Sequence, residues 1–248
     1  MFEFIHIRRN RKLPQLFWQT DLHSHVCPGI DDGSHSPEKS VMLVKGMASL
    51  GFHRMIVTPH VTDEVFPNTP EIIAESYLKL TEACKKAGVN MEFSRSAEYR
   101  IDELLLEFLR TGQVKPLHGG YLLVENSWMS EPANLDNFIF ELRNTFGLKP
   151  ILAHPERYRY YQNHRERYDE LRNQGVLFQV NLLSLAGHYD KACKNTAEYL
   201  VSQRMVDFLG SDVHRMAHIE SIRNYLTSKD YSKLEAIASD ILNDTLWP

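Results

Sequence analysis

The chain has 248 residues, 43% of them hydrophobic and 24% charged, with a formal net charge of −4. That length and apolar share suit one α/β barrel domain over residues 1–248, with residues 1–16 as an N-terminal extension. The mild acidity excludes a general nucleic-acid binder, which would carry a basic face, and no apolar run is long enough to span a bilayer.

The first twelve residues are basic and lack the apolar core of a secretion signal. They are expected to be a solvated segment of a cytoplasmic protein with no stable membrane insertion. Strand signals follow at 17–22, 54–58, 90–97, 121–125, 150–153, 176–181 and 206–210. Between them fall helical patterns at 37–50, 70–87, 102–110, 132–146, 165–173 and 191–203, and helices at 219–226 and 231–242 close the chain. Ser36-Pro37 and Thr69-Pro70 are helix starts, each a capping hydroxyl followed by proline in the first turn. Strict strand–helix alternation predicts a parallel sheet, here of seven strands.

Polar groups stand at the end of nearly every strand. His23 and His25 follow the first and, two apart on extended chain, point to one side. Asp31 and Asp32 lie between Gly29 and Gly33, His60 ends the second strand, Glu98 the third and Glu125 the fourth. His154 ends the fifth, Asn181 the sixth, and Asp212 and His214 the last. Each has a bland reading alone: Asp-Asp-Gly is ordinary turn chemistry, a single glutamate is more often an ion-pair partner, and Asn181 is more often a satisfied polar residue. Nine such accidents at equivalent positions are another matter. In a closed parallel barrel every strand C-terminus opens onto one face, whereas a doubly wound open sheet gathers its ligand at one switch point. The spread favours the barrel, and imidazoles with carboxylates on one face favour a metal site.

The three cysteines, Cys27, Cys84 and Cys193, are odd in number and suit a reducing compartment. A cysteine-based phosphatase loop needs arginine six positions on, and the residues there are Gly33, Asn90 and Tyr199. Thiol chemistry of that kind is excluded.

Asp-Leu-His-Ser-His, Thr-Pro-His, the two strand-end glutamates, His-Pro-Glu-Arg-Tyr and Ser-Asp-x-His together resemble the polymerase and histidinol phosphatase superfamily. Within it, Pro-Gly-Ile-Asp-Asp-Gly and Ala-His-Pro-Glu-Arg-Tyr resemble the bacterial tyrosine-protein phosphatases that regulate capsule and exopolysaccharide synthesis. The resemblance covers residues 18–214. It implies a distorted seven-stranded (β/α) TIM-like barrel holding three divalent cations: one on His23, His25, Glu98 and Asp212, a second sharing Glu98 and taking Glu125 and His154, and a third on Asp32, His60 and His214. It further implies a tyrosine-phosphorylated protein as substrate, such as the tail of a bacterial tyrosine kinase. The mixed nitrogen and oxygen ligands suit manganese first, or iron, zinc or cobalt, better than calcium.

The expected nucleophile is a hydroxide bridging two cations that share a carboxylate, since they lower the pKa of bound water. Arg157 is expected to hold the phosphoryl oxygens beside Asp212 and His214. Relatives carry another arginine shortly after the last Asp-x-His. Here Arg215 is the substrate-binding candidate, followed by Met216-Ala217-His218. The other histidines (His6, His35, His53, His118, His164, His188 and His218) have no strand-end position and read as surface or packing residues, with His35 and His218, near the site in sequence, as the exceptions to watch. Phe66, Trp128, Tyr158, Tyr160 and Tyr161 follow strand ends and are expected at the rim, where flat side chains would grip a phenyl ring. The alternatives are a small-molecule phosphoesterase such as histidinol phosphatase, and a non-catalytic metal-stabilised binding module.

Overall fold

The computed structural model describes residues 12–248; the basic start of the N-terminal extension lies outside the described residues. Seven passes of strand alternate with helices, and two of the passes are kinked. They comprise β1 (Thr20–Asp21), β2 (Arg54–Val57) continuing as β3 (His60–Val61), and β4 (Glu92–Arg95) continuing as β5 (Glu98–Arg100). Then come β6 (Tyr121–Glu125), β7 (Lys149–Ala153), β8 (Leu177–Asn181) and β9 (Phe208–Gly210). All pairings are parallel, in the orders β1-β2-β4 and β3-β5-β6-β7-β8-β9.

The two kinks lie side by side. Pro59 has no N–H to give the ladder. The bonds Ser96 N→Val57 O and Glu98 N→Pro59 O, both 3.0 Å, carry the pairing across the bend. The curled sheet joins edge to edge just beyond β1 and β9: Ser24 bridges Val213 in parallel, and Asp212 N donates to His23 O at 2.8 Å. The sheet is thus the distorted barrel expected from the sequence.

The helices are α1 (Pro37–Leu50), α2 (Pro70–Lys86), α3 (Glu103–Thr111), α4 (Leu135–Asn144), α5 (Glu166–Asn173), α6 (Leu182–Leu185), α7 (Lys191–Ser202), α8 (Met216–Leu226) and α9 (Tyr231–Glu235). Ser36 and Thr69 cap α1 and α2 as expected, each accepting from a first-turn backbone N–H. Helix residues Val44, Met47, Leu50, Leu80 and Ile222 pack on strand residues Met55, Val57, Phe178 and Val180 in one large buried cluster. Each such side chain contributes about 1.5–3 kcal/mol on burial. Leu22, Ile56, Leu123, Ile151 and Phe208 form a second cluster drawn from the strands, with Leu117 and Leu246 against it.

Two expectations need correction. α6 was not anticipated, because its four residues Leu182-Leu183-Ser184-Leu185 are too short a run to show a helical period. The expected helix over 231–242 stops at Glu235, and short turns at 238–240 and 243–246 replace its end. Tertiary bonds take over there. Asn243 donates to Thr20 O and Leu209 O, and Asp244 accepts from the Gln19 and Thr20 N–H groups, tying β1 to β9.

Candidate metal centre

Sheet register brings the strand-end residues together. His60 on β3 sits opposite Glu98 on β5, and Arg100, two residues further, sits opposite Glu125 on β6. His154 and Asp212 follow β7 and β9 with left-handed backbone, φ 35° and 49°. Non-glycine residues adopt that region at a cost, and such strain gathers at functional sites. Gly33 lets the Asp31-Asp32 loop lie on His25: a side chain there would meet His25 O at 2.1 Å.

All nine candidates converge as four overlapping groups able to hold a cation: His25, Asp32, His60 and His214; His23, His25 and Asp212; His23, Glu98 and His154; and His60, Glu98 and Glu125. Glu98 is the hub. Its Oε2 lies 3.1 Å from His23 Nε2, 3.4 Å from His25 Nε2 and 3.1 Å from His60 Nδ1, and its Oε1 lies 2.8 Å from His154 Nε2. The grouping differs from the one the resemblance implies. Glu125 falls with His60 rather than with His154, and His60 has a nitrogen on each side, its Nε2 being 3.6 Å from Asp32 Oδ1.

The donor set fits cations. His23 Nδ1 meets Gln179 Oε1 at 2.7 Å and His25 Nδ1 meets Asp31 Oδ2 at 2.9 Å. Both Nδ1 atoms therefore carry a hydrogen, which leaves the two Nε2 atoms, 3.1 Å apart, as the positions for a cation. Two imidazole nitrogens at that distance share a proton when no cation is bound, and a cation would replace it. Glu125 Oε2 and His154 Nδ1 are buried without a hydrogen-bond partner, a cost that ligation nearby would lessen.

Directional bonds fix the ligand candidates from behind. Gln179 Nε2 donates to Asn181 Oδ1 and Asn181 Nδ2 to Asp212 Oδ2, so two amides on β8 link His23 to Asp212. Asp212 Oδ2 also accepts from Arg157 Nη1 at 2.8 Å and Tyr189 OH at 3.1 Å. Its Oδ1 is left facing His25 and His214 at 3.5 and 3.4 Å. Gly210 makes room for the relay, since a side chain there would meet Gln179 Nε2 at 2.5 Å and His23 Cβ at 2.7 Å. Gln179→Leu should weaken metal binding by about 10- to 100-fold with little change in fold, as losses behind a ligand do. Titrating the metal-stripped variant with Mn²⁺ checks this, and an unchanged affinity contradicts it.

Charge follows the same geometry. Burial opposes protonation of His23 and His60, yet Glu98 outweighs it and raises them to about 9 and about 10. Burial also opposes the charge on Glu98, but His23 and His60 hold it well below the usual carboxylate range. Glu125 is pushed up to about 7, by burial first and then by the neighbouring Glu98. With no cation bound, the two imidazoles thus keep their protons at neutral pH, and a cation must displace them. Loading near pH 7 should release about two protons per chain from these imidazoles, and affinity should rise as pH climbs from 6 to 8. Calorimetry in two buffers of different ionisation heat measures the release; net proton uptake would contradict it.

Outward from the ligands the face opens into a cleft of about 370 Å³ lined by Arg100, Arg157 and Arg215 among others. The Arg157 guanidinium lies 4.5 Å from the Trp128 ring and 4.2 Å from the Tyr189 ring. Arg215 Nε donates to His218 Nε2 at 3.0 Å. Phe66 stacks on His60 and Trp128 on His154, with ring centres 5.6 and 5.2 Å apart. The expected aromatic rim is otherwise wrong: Tyr158 and Tyr161 are buried, and Tyr160 is spent on Ser127 O. Tyr189 stands at the cleft in their place. His218 joins the cleft as anticipated, His35 does not, and His188 does so without having been singled out.

Fold and site together define a protein of the polymerase and histidinol phosphatase class. More narrowly, the chain belongs to the family described as capsular polysaccharide synthesis, CpsB/CapC, which it matches over residues 19–237. It is 27% identical over 216 residues to the tyrosine-protein phosphatase YwqE of Bacillus subtilis, covering 87% of this chain and 83% of that one. It is 28% identical over 208 residues to the tyrosine-protein phosphatase CpsB of Streptococcus pneumoniae, covering 79% and 83%. Among solved structures, one from the set of YwqE from B. subtilis and CpsB from S. pneumoniae, described as metal-dependent tyrosine phosphatases, superposes with a TM-score of 0.76 at 25% identity, covering 90% and 95%. Histidinol phosphate phosphatase of Lactococcus lactis shares the fold at a TM-score of 0.52 and 12% identity, covering 84% and 92%.

Proposed function

We propose that the chain is a metal-dependent protein-tyrosine phosphatase. Its substrate would be phosphotyrosine on a flexible segment of a cytoplasmic partner, such as the tail of a bacterial tyrosine kinase in capsule or exopolysaccharide synthesis. The observation that carries this reading is the convergence of nine imidazole and carboxylate ligands on one cleft beside a clamped arginine. His23, His25, Asp32, His60, Glu98, Glu125, His154, Asp212 and His214 would hold three divalent cations, manganese first. These supply Lewis acidity and an activated water when bound.

The chain's own groups do the rest. Arg157 presents a planar fork to two phosphoryl oxygens, and Asp212, Trp128 and Tyr189 hold that fork from three sides. Burial first, then the neighbouring His214, keeps His218 down at about 4. His218 is thus neutral near pH 7, and the arginines carry the cleft's fixed positive charge. Phe66 and Trp128 offer flat faces to the substrate ring at either side of the ligands. A phenolate leaves as a base of pKa about 10, so it needs less protonation in the transition state than a serine alkoxide.

The test compares kcat/KM on a tyrosine-phosphorylated peptide, a phosphoserine peptide and histidinol phosphate, each with Mn²⁺. Phosphotyrosine should win by more than tenfold, about 1.4 kcal/mol of transition-state binding. A tenfold preference for either competitor would leave a phosphoesterase of another substrate class. Metal binding without turnover of any of them would leave a binding module.

A further inference from the structure

Resting on that reading, we infer that the cleft mouth recognises apolar side chains flanking the phosphotyrosine in an extended substrate segment. Val65, which lines the cleft, and Met129, the residue after the cleft-lining Trp128, are the contact residues. Isolated exposed apolar residues are ordinary on any protein, but their clustering around a cleft is not. Among the described residues, eight large apolar side chains are exposed, and four of them follow strand ends: Val65, Trp128 and Met129 in two loops, and Met216 at the start of α8. Val65 is 66% exposed and Met129 is 89% exposed. Each adjoins an aromatic stacked on a ligand candidate, Val65 beside Phe66 on His60 and Met129 beside Trp128 on His154.

The loops that carry them are braced. Thr62 and Phe66 exchange backbone bonds at 3.0 and 3.2 Å around Val65, and Asp63 N donates to Asp102 Oδ2 at 2.8 Å. Asn68 pins the return of that loop to Ile30 O and His60 O, both at 2.8 Å. Across the cleft, Met129 N donates to Ser127 Oγ, and Tyr160 OH holds Ser127 O at 2.9 Å. Both side chains thus stand in water on braced backbone.

Strand order sets what lies between them. The loop after β3 and the loop after β6 flank β5, whose end carries Arg100 at the cleft floor. A phosphotyrosine whose phosphate reaches the ligands must pass its ring between Phe66 and Trp128. Its sequence neighbours then leave on the two sides where Val65 and Met129 stand, since successive side chains of an extended chain diverge. An open cleft with apolar shoulders suits a peptide. A small phosphate ester has no atoms to place on them.

The experiment uses the Mn²⁺-loaded full chain and its V65S/M129S variant. The substrates are a peptide with leucine on both sides of phosphotyrosine, the same peptide with serine there, and para-nitrophenyl phosphate, which reports on the metals and arginines alone. The native chain should prefer the leucine peptide by about tenfold in kcat/KM, through KM, as expected for covering one or two apolar side chains. In the variant that ratio should collapse towards one while para-nitrophenyl phosphate is still turned over. Equal kcat/KM on the two peptides in the native chain overturns the inference, as does an equal loss on all three substrates in the variant. Co-flotation with phosphatidylcholine vesicles, lost in the variant, would assign the mouth to lipid and overturn it too. If para-nitrophenyl phosphate is hydrolysed but neither peptide is, the tyrosine-phosphatase reading fails instead.

Discussion

Glu98→Ala should lower kcat on a phosphotyrosine peptide by at least about a thousandfold, the largest loss of any single ligand replacement. Three histidines from different strand ends meet the two oxygens of this one carboxylate. Glu98 belongs to two of the four ligand groups. Removing it takes a donor from both and takes away the negative charge that would offset two neighbouring cations. Lewis-acid stabilisation of the transition state is worth several kcal/mol, and about 4 kcal/mol is a factor near a thousand. The loss should appear in metal content as well as rate, by elemental analysis of the variant beside the native chain. A variant that keeps the native metal complement and a tenth of the native kcat would remove Glu98 from the centre of the site.

Arg157→Met should lower kcat/KM by about 10²–10³, the range seen when a preorganised donor to developing negative charge is removed. Methionine keeps much of the length and still fills the space between Trp128 and Tyr189, so the loss reports on the guanidinium. Arg157→Lys should recover little, because a point charge cannot reproduce a bidentate fork held flat between two rings. Metal content should stay near native, since Asn181 and Tyr189 still donate to Asp212 Oδ2. That split, rate lost and metal kept, separates Arg157 from the ligands. Native kcat/KM in Arg157→Met contradicts the phosphate-binding role.

Much of this was written in local sequence. His23-Ser24-His25 and Ser211-Asp212-Val213-His214 read as ligands because each ends a strand, and in a parallel barrel every strand ends on the same face. The helix starts at Ser36 and Thr69 were legible for the same local reason, a capping side chain and a proline in the first turn. What stayed hidden depends on partners far away in the chain. Gln179 lies 156 positions from His23, and nothing near it in sequence marks it as the group that fixes that imidazole. Asp31 looked like turn chemistry and proves to brace His25. Asn181 looked like a satisfied polar residue, and it is satisfied, by Asp212. Tyr189 follows no strand end, so no strand-end rule could find it. The tyrosines after His154 failed as a rim for the opposite reason. Following a strand end places a loop near the cleft but does not decide whether its side chains turn outward, and Tyr158 and Tyr161 turn in: both hydroxyls accept from Asn126, and Tyr161 OH donates to Glu131.

The most direct test sets metal against thiol on one substrate. Cys27, Cys84 and Cys193 are free and buried, and none is among the ligand groups. Purified chain is assayed on a phosphotyrosine peptide after treatment with a strong chelator, after chelation and return of Mn²⁺, and after iodoacetamide. The predicted result is loss of turnover with the chelator, recovery with Mn²⁺, and full turnover after iodoacetamide. Turnover that survives the chelator and dies with iodoacetamide would contradict a metal-dependent phosphatase outright.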